Sequence, residues 1–284
     1  MKKMALVFMI AVLALTSACA LAAKAGIAVI SREDGSGTRG AFVELTGVLG
    51  KGADGNGVDL TTDGAIVTNS TSAMLSSVAG DRDAIGYVSL GSLDDSVRAV
   101  LVDGESATAQ GVASGAYKLS RPFLVLTVGE VSGIGVDFLD YVLSADGQAV
   151  VAANGYVAVE IKPEPYISSG IAGTLTLGGS SSVTPVMEKL AEAYMAINPR
   201  ALVVIRQSDS TTGITSVVEG IVDIGMASRE LKGSELEKGV VGTPIAIDGI
   251  AVIVNLESGI SELTRGQIAD IFTGGIAEWE QLGQ

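Results

Sequence analysis

Several apolar stretches of the chain run without interruption and are rich in β-branched residues. Three of them lie at residues 27–30, 201–205 and 250–254. Continuous apolar runs of this length, in place of alternating ones, are typical of strands that are covered on both faces. The pattern therefore predicts a buried sheet, to which residues 174–178 add a further strand.

Other apolar positions recur at helical spacing. Two sets each follow one helical face: Val186, Leu190, Ala193 and Ile197, and then Ile214, Val217, Val218 and Ile221. Helices are also predicted at 70–79, 134–144, 145–153 and 264–272, the last opened by the capping-box pair Thr264 and Gln267. This alternation of strands and helices predicts an α/β protein with largely parallel sheets.

The first 23 residues have the layout of an export signal. Two lysines precede an apolar stretch at 4–15 that is too short to predict a membrane-spanning helix, and small residues follow. Cleavage after Ala22 would start the mature chain near Lys24. Alternatively, residues 15–19 resemble a bacterial lipoprotein box, which would anchor the chain through Cys19. Both interpretations predict an exported protein, either periplasmic or lipid-anchored on the outer face of the cytoplasmic membrane.

Composition narrows the chemistry that the chain can perform. With 284 residues, 48% of them hydrophobic, the chain is long enough for one large or two medium domains. It has no histidine and one cysteine, which excludes imidazole-dependent mechanisms, disulfide frameworks and multi-cysteine metal sites. The net charge of −14 argues against nucleic acid or an anionic membrane surface as a partner. Short-range contacts must therefore hold any bound anion.

Three strand-to-helix turns are rich in glycine and hydroxyl residues. They lie at 36–38, 179–182 and 208–213, each directly after a predicted strand. The first turn of a helix leaves backbone N–H groups unpaired and carries a partial positive charge. In an open parallel sheet such turns lie at the carboxyl ends of the strands, where ligands bind. Three turns aimed at one point could hold a tetrahedral oxyanion.

Serine and threonine are also ordinary helix N-caps, so one such turn is more often a cap than a binding loop. The turn at 70–72 is interpreted as only a cap. For the other three turns, their number, their glycines and the neighbouring Arg32 favour binding, because a guanidinium can grip an oxyanion with two hydrogen bonds. The alternative for Arg32 is a structural ion pair with Glu33 or Asp34.

Longer motifs surround these turns. They are SREDGSGTRGAFVELTG at 31–47, GGSSSVTPVMEKLAEAY at 178–194, VDIGMASRELK at 222–232, IAIDGIAVIVN at 245–255 and LTRGQIADIFTGGIAEWEQLG at 263–283. Together they closely resemble the substrate-binding proteins of bacterial phosphate-specific ABC transporters, over essentially all of the chain after the export segment. The resemblance implies a type II periplasmic-binding-protein fold, in which two α/β lobes joined by hinge strands close over one phosphate.

The order of the segments departs from that family. There, the segment that resembles 174–284 comes first and the one that resembles 26–160 comes second, so this chain resembles a circular permutant. The usual termini are joined through a predicted linker at 162–172, which carries two prolines and no helical period. We therefore expect a continuous first lobe at 119–250 and a second lobe split into 24–118 and 251–284.

The resemblance also implies roles for particular residues. The phosphate-binding set it implies is Arg32, Ser36, Gly37, Thr38, Ser181, Ser182 and Ser210. Arg32 would be the charged clamp, and Asp34 matches an acid that orients this arginine. Many members of the family carry an aspartate after Ala-Ser, where this chain has Arg229 as an extra clamp candidate.

The missing aspartate matters because an ionised carboxylate accepts the proton of hydrogen phosphate and repels sulfate. Asp248, just before a crossing strand predicted to begin at Gly249, is the candidate replacement. The alternative is a turn aspartate that is hydrogen-bonded to its own backbone.

The resemblance implies a binding protein and not an enzyme. It would capture inorganic phosphate in an interlobe cleft and deliver it to a membrane ABC permease, as a monomer without cofactor, metal or nucleic acid. The alternatives are a binding protein for another oxyanion such as sulfate, and a phosphate-sensing surface protein that is not coupled to transport. A phosphatase is disfavoured because the serines lack an evident base partner.

Overall fold

The structure is a computed structural model that describes residues 26–52, 55–131, 133–159 and 164–283. The predicted export segment, with Cys19, lies outside these residues. Within them, no helix combines the length and the apolar character that a membrane crossing requires.

Strands and helices alternate along the described chain, which confirms the α/β class. The strands are β1 (Ala28–Arg32), β2 (Leu49–Lys51), β3 (Gly57–Asp59), β4 (Ile66–Thr68), β5 (Ala84–Ser89), β6 (Val97–Ala99), β7 (Leu101–Val102), β8 (Ser120–Val128), β9 (Val157–Ala158), β10 (Gly173–Ser180), β11 (Ala201–Ser208), β12 (Ile224–Ala227), β13 (Val240–Asn255) and β14 (Glu262–Leu263). The helices are α1 (Gly37–Thr46), α2 (Thr71–Gly80), α3 (Ala109–Ala113), α4 (Gly133–Val142), α5 (Ala145–Ala153), α6 (Thr184–Ile197), α7 (Ser210–Val218), α8 (Gly233–Leu236) and α9 (Arg265–Phe272), with 3₁₀ turns at Leu90–Ser92 and Trp279–Leu282.

The helices predicted from apolar spacing are present, with shifts of one or two residues at most ends. The capping box that was predicted to open α9 is confirmed, since the side chains of Thr264 and Gln267 each accept a backbone N–H of the other residue. Ile221 lies outside α7 although it continues the apolar spacing. Gly220 has a φ of 69° there, and a left-handed glycine ends a helix.

One ten-stranded sheet runs through the described part of the molecule in the order β11-β10-β12-β8-β13-β5-β1-β4, with β6 and β9 paired to β13. The strands toward both edges are parallel: β10 pairs with β11 and β12, and β1 pairs with β4 and β5. The prediction of largely parallel sheets is wrong at the centre. There β8 and β13 run antiparallel to each other and to their other neighbours, because they carry the chain across the molecule.

Strand β13 joins the two halves of the fold. Its first part, up to Gly249, pairs with β8, and the part from Ile250 onward pairs with β5 and β6. The apolar run at 250–254 is fully buried, as its unbroken β-branched composition predicts.

Separate apolar cores lie on the two sides of this crossing. One core is built from residues between 123 and 246, around Phe123, Phe138 and Tyr194. The other takes its residues from 29–119 and 250–272, and in it the Phe42 ring stacks on Tyr87 with centroids 3.9 Å apart. These cores give the two-lobed periplasmic-binding-protein fold, and below they define the first lobe and the second lobe respectively.

Candidate functional site

The three hydroxyl-rich turns meet between the lobes. Thr38, in the first turn of α1, has its Oγ1 2.8 Å from Ser182 Oγ, which precedes α6 in the other lobe. Arg32, at the end of β1, donates from Nη2 to Ser181 Oγ at 3.1 Å. A Cβ built on Gly37 would lie only 2.3 Å from Ser210 Oγ at the start of α7. Glycine therefore stands at this position because the opposite lobe packs against it.

These contacts belong to a larger group of side chains that we call the hydroxyl cluster. Its members are Thr38, Thr71, Ser180, Ser181, Ser182, Ser210 and Ser228, and each is more than nine-tenths buried. Thr71 Oγ1 lies 3.3 Å from the hydroxyls of both Ser181 and Ser182. Ser180 donates to Ser228 Oγ at 2.9 Å, and Ser228 Oγ lies 3.3 Å from that of Ser210. One chain of hydroxyl groups, from Thr38 and Thr71 to Ser181 and Ser182, thus crosses the boundary between the lobes, and a second joins serines within the first lobe.

The hydroxyls of Ser210 and Thr71 do not cap the helices that they begin, because the preceding residues do so. Asp209 caps α7 by accepting from the N–H of Thr212, and Ser70 caps α2 by accepting from that of Ala73. Helix α6 follows Val183 and has no side-chain cap. Ser36 is the exception among the predicted residues, because its hydroxyl accepts from the N–H of Arg39 and caps α1.

Four helices begin at the hydroxyl cluster. Thr71 and Ser210 are the first residues of α2 and α7, Thr38 is the second residue of α1, and Ser182 comes two residues before α6. The first turn of each helix has N–H groups without helical partners, and the peptide dipoles concentrate positive potential there. The site is therefore locally suited to an anion although the chain is acidic.

Arg32 supplies the formal positive charge at this point. It is 2% exposed. Its Nε and Nη2 donate to the two carboxylate oxygens of Glu33 at 2.8 and 2.6 Å, and Nη2 also reaches Ser181. On the sequence alone, an ion pair and an anion-binding role are alternatives for Arg32. In the structure, Arg32 forms the ion pair with Glu33 and also contacts the cluster.

Asp34 does not orient Arg32, so that prediction is wrong. Its side chain is 97% exposed and accepts from Arg39 Nη1 at 2.7 Å. The adjacent Glu33 holds Arg32 instead, because its side chain leaves the backbone on the side of the buried guanidinium. Arg39 in turn supports the loop, since it donates to the carbonyl of Arg32 at 2.8 Å and to Asp59 at 2.7 Å.

Arg229 is not brought to the hydroxyl cluster. Its guanidinium donates to both carboxylate oxygens of Glu235 at 2.8 Å and to the carbonyl of Glu230 at 2.9 Å. These hydrogen bonds hold the Arg229 guanidinium beside α8. The structure therefore does not support Arg229 as an extra clamp.

Asp248 also lies elsewhere than predicted. It is within β13 and not in a turn before it, so the interpretation as a turn aspartate is wrong. Its carboxylate accepts from Ser89 Oγ at 2.9 Å and from Arg121 Nη2 at 3.2 Å, and both charged side chains are buried. Burial raises the pKa of Asp248 to about 6, although the bonds from Arg121 and Ser89 oppose this, and burial lowers the pKa of Arg121.

Residues that sequence reasoning did not assign to the site contribute to it. Thr71 belongs to the turn at 70–72 that was interpreted as only a cap. Ser70 does cap α2, but the next hydroxyl reaches the cluster. Arg121 donates from Nη1 to the carbonyl of Ser228 at 2.9 Å and so holds one cluster residue from behind. The sequence feature that could have identified Arg121 is a cation at the start of β8. This strand pairs with β13 and places Arg121 opposite Asp248.

A cleft of about 710 Å³ runs beside the cluster, along α1 and residues 229–232. Its lining also includes the acidic side chains of Asp34, Glu44, Asp59 and Glu230. These carboxylates make the cleft less suited to an anion than the hydroxyl cluster. The described residues contain no group of three or more acidic or cysteine side chains that could hold a metal ion.

The sequence of this chain is similar to those of known binding proteins. The profile of the PBP superfamily domain matches residues 16–146 and 164–284. The chain is 51% identical over 262 residues to the phosphate-binding protein PstS 2 of Streptococcus agalactiae, a match that covers 92% of this chain and 89% of the relative. It is 35% identical over 115 residues to the phosphate-binding protein PstS of Bacillus subtilis, with 39% and 38% of the two chains covered.

A solved structure agrees with the two-lobed architecture. The crystal structure of a phosphate-binding protein of a phosphate ABC transporter from Streptococcus pneumoniae superimposes with a TM-score of 0.71 at 44% identity. The match covers 90% of this chain and 99% of the pneumococcal chain. The two proteins therefore share a fold along almost their whole length.

Proposed function

The chain belongs to the PBP superfamily and, within it, to the family of phosphate-binding proteins of ABC transporters, and from this premise we propose that it captures inorganic phosphate between its lobes. It then delivers the phosphate to an ABC-type permease. The named relatives are binding proteins, and this chain accordingly acts by binding and release without catalysis.

One observation carries the proposal: a buried guanidinium and four helix N-termini converge on seven hydroxyl groups between the lobes. Phosphate offers four oxygens in a tetrahedral arrangement, and donors from several directions suit it. The proposed contacts are Arg32, Gly37, Thr38, Ser181, Ser182 and Ser210, with Thr71 and Ser228 added by the structure. Ser36 caps α1 by accepting the N–H of Arg39, and its own hydroxyl proton can still be donated to the anion.

A second candidate, a less selective oxyanion-binding protein, is favoured by the positions of the carboxylates. Asp34 is paired with Arg39 and Asp248 with Arg121 and Ser89, and in the described residues no hydrogen bond joins either carboxylate to a cluster hydroxyl. A hydroxyl can accept the proton of hydrogen phosphate, but it does not repel a fully deprotonated anion such as sulfate. Selectivity between the two anions therefore separates the candidates.

Titration calorimetry near pH 8 tests both candidates, with a protein that begins at Lys24 and has been stripped of bound anion. One-to-one phosphate binding that excess sulfate leaves unchanged supports a selective phosphate receptor. Competition by sulfate supports the less selective candidate. Absence of binding by either anion contradicts the proposed function.

Delivery to a permease distinguishes transport from phosphate sensing at the cell surface. We propose an exported monomer that docks onto the permease with no nucleic acid and no cofactor, and that is lipid-anchored if Cys19 is modified. Co-purification of a membrane permease with the tagged protein supports transport. Recovery of the Cys19→Ala variant in the soluble fraction, with wild type in the membrane fraction, supports the anchor.

We also propose that the order of the segments is circularly permuted. The first lobe is then 119–250, and the second lobe combines 24–118 with 251–284. The alignment with the S. agalactiae protein runs through 92% of this chain, which supports a shared order in that relative. The alignment with the B. subtilis protein covers 39%, the share expected if only one of two exchanged segments can align. In addition, the N–H of Ile27 donates to the carbonyl of Ala277 at 2.8 Å, so the two proposed new ends are neighbours.

The described part of the proposed linker, from residue 164 onward, contacts the first lobe. Tyr166 donates its hydroxyl proton to Asp137 at 2.6 Å and accepts from Asn198 at 3.0 Å. Its ring packs edge-on against Tyr141, with centroids 5.3 Å apart. These contacts support a joint that is part of the folded first lobe.

A further inference from the structure

Gly35 lies in the tight turn between Arg32 and α1, where the N–H of Ser36 donates to the carbonyl of Glu33. Its φ lies outside the left-handed region, so the backbone of this turn does not itself require glycine. A reason for glycine must therefore come from the surroundings of the residue.

The surroundings are the opposite lobe. A Cβ at position 35 would lie 2.3 Å from Asp209 Oδ1 and 2.6 Å from Asp209 Cγ. The N–H of Thr211 also donates to the carbonyl of Gly35 at 3.2 Å. The turn at 33–36 and the start of α7 are thus in direct contact across the cleft.

The Asp209 carboxylate is not free to move aside. It caps α7 by accepting from the N–H of Thr212 at 2.8 Å and from its hydroxyl at 2.5 Å. Displacing the carboxylate would break both bonds of the cap. A side chain at position 35 would therefore favour a wider separation of the lobes.

We propose that Gly35 and Asp209 form a steric stop that sets how far the lobes close, separate from the groups that hold the anion. The inference rests on the proposed capture of an anion by lobe closure. Gly35 acts as a positioning residue: its missing side chain lets the Arg32 loop approach the cluster serines of the first lobe.

The main test is a double-mutant cycle of Gly35→Ala and Asp209→Gly. Glycine is a tolerated N-cap, so the second change removes the carboxylate with little loss of helix stability. We expect Gly35→Ala to weaken phosphate binding about tenfold, a typical coupling for a conformational step. Asp209→Gly alone should change affinity by less than about threefold, and the double variant should return to the affinity of that single variant.

Gly40→Ala is the matched control. Gly40 lies in α1 on the same side of the cleft, and a Cβ there would meet Arg229 Cδ at 3.6 Å, an ordinary contact. This control should bind phosphate like wild type. Small-angle X-ray scattering with saturating phosphate should show a larger radius of gyration for Gly35→Ala than for wild type, Gly40→Ala or the double variant.

A cross-link tests the contact without any ligand. The chain has no cysteine after residue 19. A Cβ at position 35 would lie 2.6 Å from Asp209 Cγ. Since Cγ is one bond of about 1.5 Å from the Cβ of Asp209, the two Cβ positions are at most about 4.1 Å apart, within the usual range for a disulfide. We expect the Gly35→Cys and Asp209→Cys pair to oxidise readily and faster with phosphate. The proposed stop is overturned by failure to cross-link, by wild-type affinity in Gly35→Ala, or by a double variant as weak as Gly35→Ala.

These outcomes are distinct from failure of the proposed function. If wild type does not bind phosphate, the function fails, whereas the cross-link still reports whether the two lobes meet at this contact. If wild type binds phosphate and the cycle shows no rescue, only the steric stop fails.

Discussion

The two faces of the cleft build their halves of the candidate site in different ways. The second-lobe face is held by formal charges: Glu33 binds Arg32, and Arg39 bridges Asp34 and Asp59. The first-lobe face consists of neutral serines that are joined to one another and to backbone groups. Behind these serines, Arg121 donates to the carbonyl of Ser228 and is paired with Asp248.

The difference shows how an acidic chain can prepare an anion site. A guanidinium that is already paired and buried offers a directed positive charge, and helix N-termini add potential without adding side chains that need counter-ions. On the neutral face, hydroxyls adapt as donor or acceptor, because each can rotate its proton. Ion pairs thus hold the second-lobe face in place, and hydroxyl groups that can donate or accept form the first-lobe face.

The largest expected effect concerns the charge behind the neutral face. Arg121→Met leaves the Asp248 carboxylate buried without its partner, and we expect a loss of about 3–5 kcal/mol in the free energy of unfolding. Urea unfolding without phosphate measures this loss. The double variant Arg121→Met with Asp248→Leu should recover most of the stability, since it removes both buried charges. A loss below about 1 kcal/mol in the single variant would show that the neutral face needs no charge behind it.

The next effect tests the charged face. Arg32→Gln removes the guanidinium from the cluster, and we expect phosphate to bind about 100-fold more weakly, as for loss of a buried charge-assisted contact. Calorimetry measures this change. Arg82→Gln, an exposed arginine of the same lobe, is the matched control and should leave the affinity unchanged. Equal effects of the two variants would contradict a local role for Arg32.

A smaller effect separates a cap from a cluster hydroxyl in the same turn. Thr71→Val removes the hydroxyl that contacts Ser181 and Ser182, and we expect about fivefold weaker phosphate binding, in line with one neutral hydrogen bond. Ser70→Ala should instead lower stability by about 1 kcal/mol with little change in affinity, because it removes only the cap of α2. The idea fails if the two variants exchange these effects.

The pH dependence of stability tests the pair behind the neutral face. The pKa of Asp248 is about 6 in the folded chain and near its ordinary value of 3.8 when unfolded. As pH rises from about 4 to 6, the unfolded state loses this proton while the folded state retains it, so the contribution of Asp248 to stability falls. Relative to Asp248→Asn, wild type should lose stability over this window and show no further relative change above it. A gain in the stability of wild type relative to Asp248→Asn as pH rises would contradict a raised pKa for Asp248.

The smallest effect concerns the lobes that carry the two faces. The charged face belongs to the lobe that the proposed permutation splits, and loss of a covalent link should let that lobe open more readily. Hydrogen exchange should therefore show earlier exchange in β1 and α9 than in β10 and α6, with phosphate slowing both. Earlier opening of the 119–250 lobe would contradict the expectation.

Local pattern was sufficient for much of the fold. Unbroken β-branched runs predicted the buried strands, and apolar spacing with the Thr264 capping box predicted helices to within one or two residues at most ends. The same reasoning overestimated parallel pairing, because strand direction at the centre depends on how β8 and β13 cross between the lobes. No local pattern records that crossing.

At the site, residue type and turn position pointed to the three hydroxyl-rich turns, and the family resemblance added the individual residues Arg32, Thr38, Ser181, Ser182 and Ser210, which lie together between the lobes. These signals were not sufficient for the carboxylates. Whether an arginine pairs with Glu33 or Asp34 depends on which side chain faces the buried guanidinium, and adjacent residues cannot be separated by sequence alone.

By itself, then, the sequence determined the α/β class, the main elements and the turns that carry hydroxyl donors, because these depend on the periodicity and chemistry of neighbouring residues. Only the tertiary structure decided that Thr71 joins the cluster, that Asp248 binds Arg121, and that Gly35 meets Asp209. Each of these contacts joins residues more than 100 positions apart. The contacts of Thr71 and Gly35 depend on how the two lobes pack, and that of Asp248 depends on the pairing of β8 with β13.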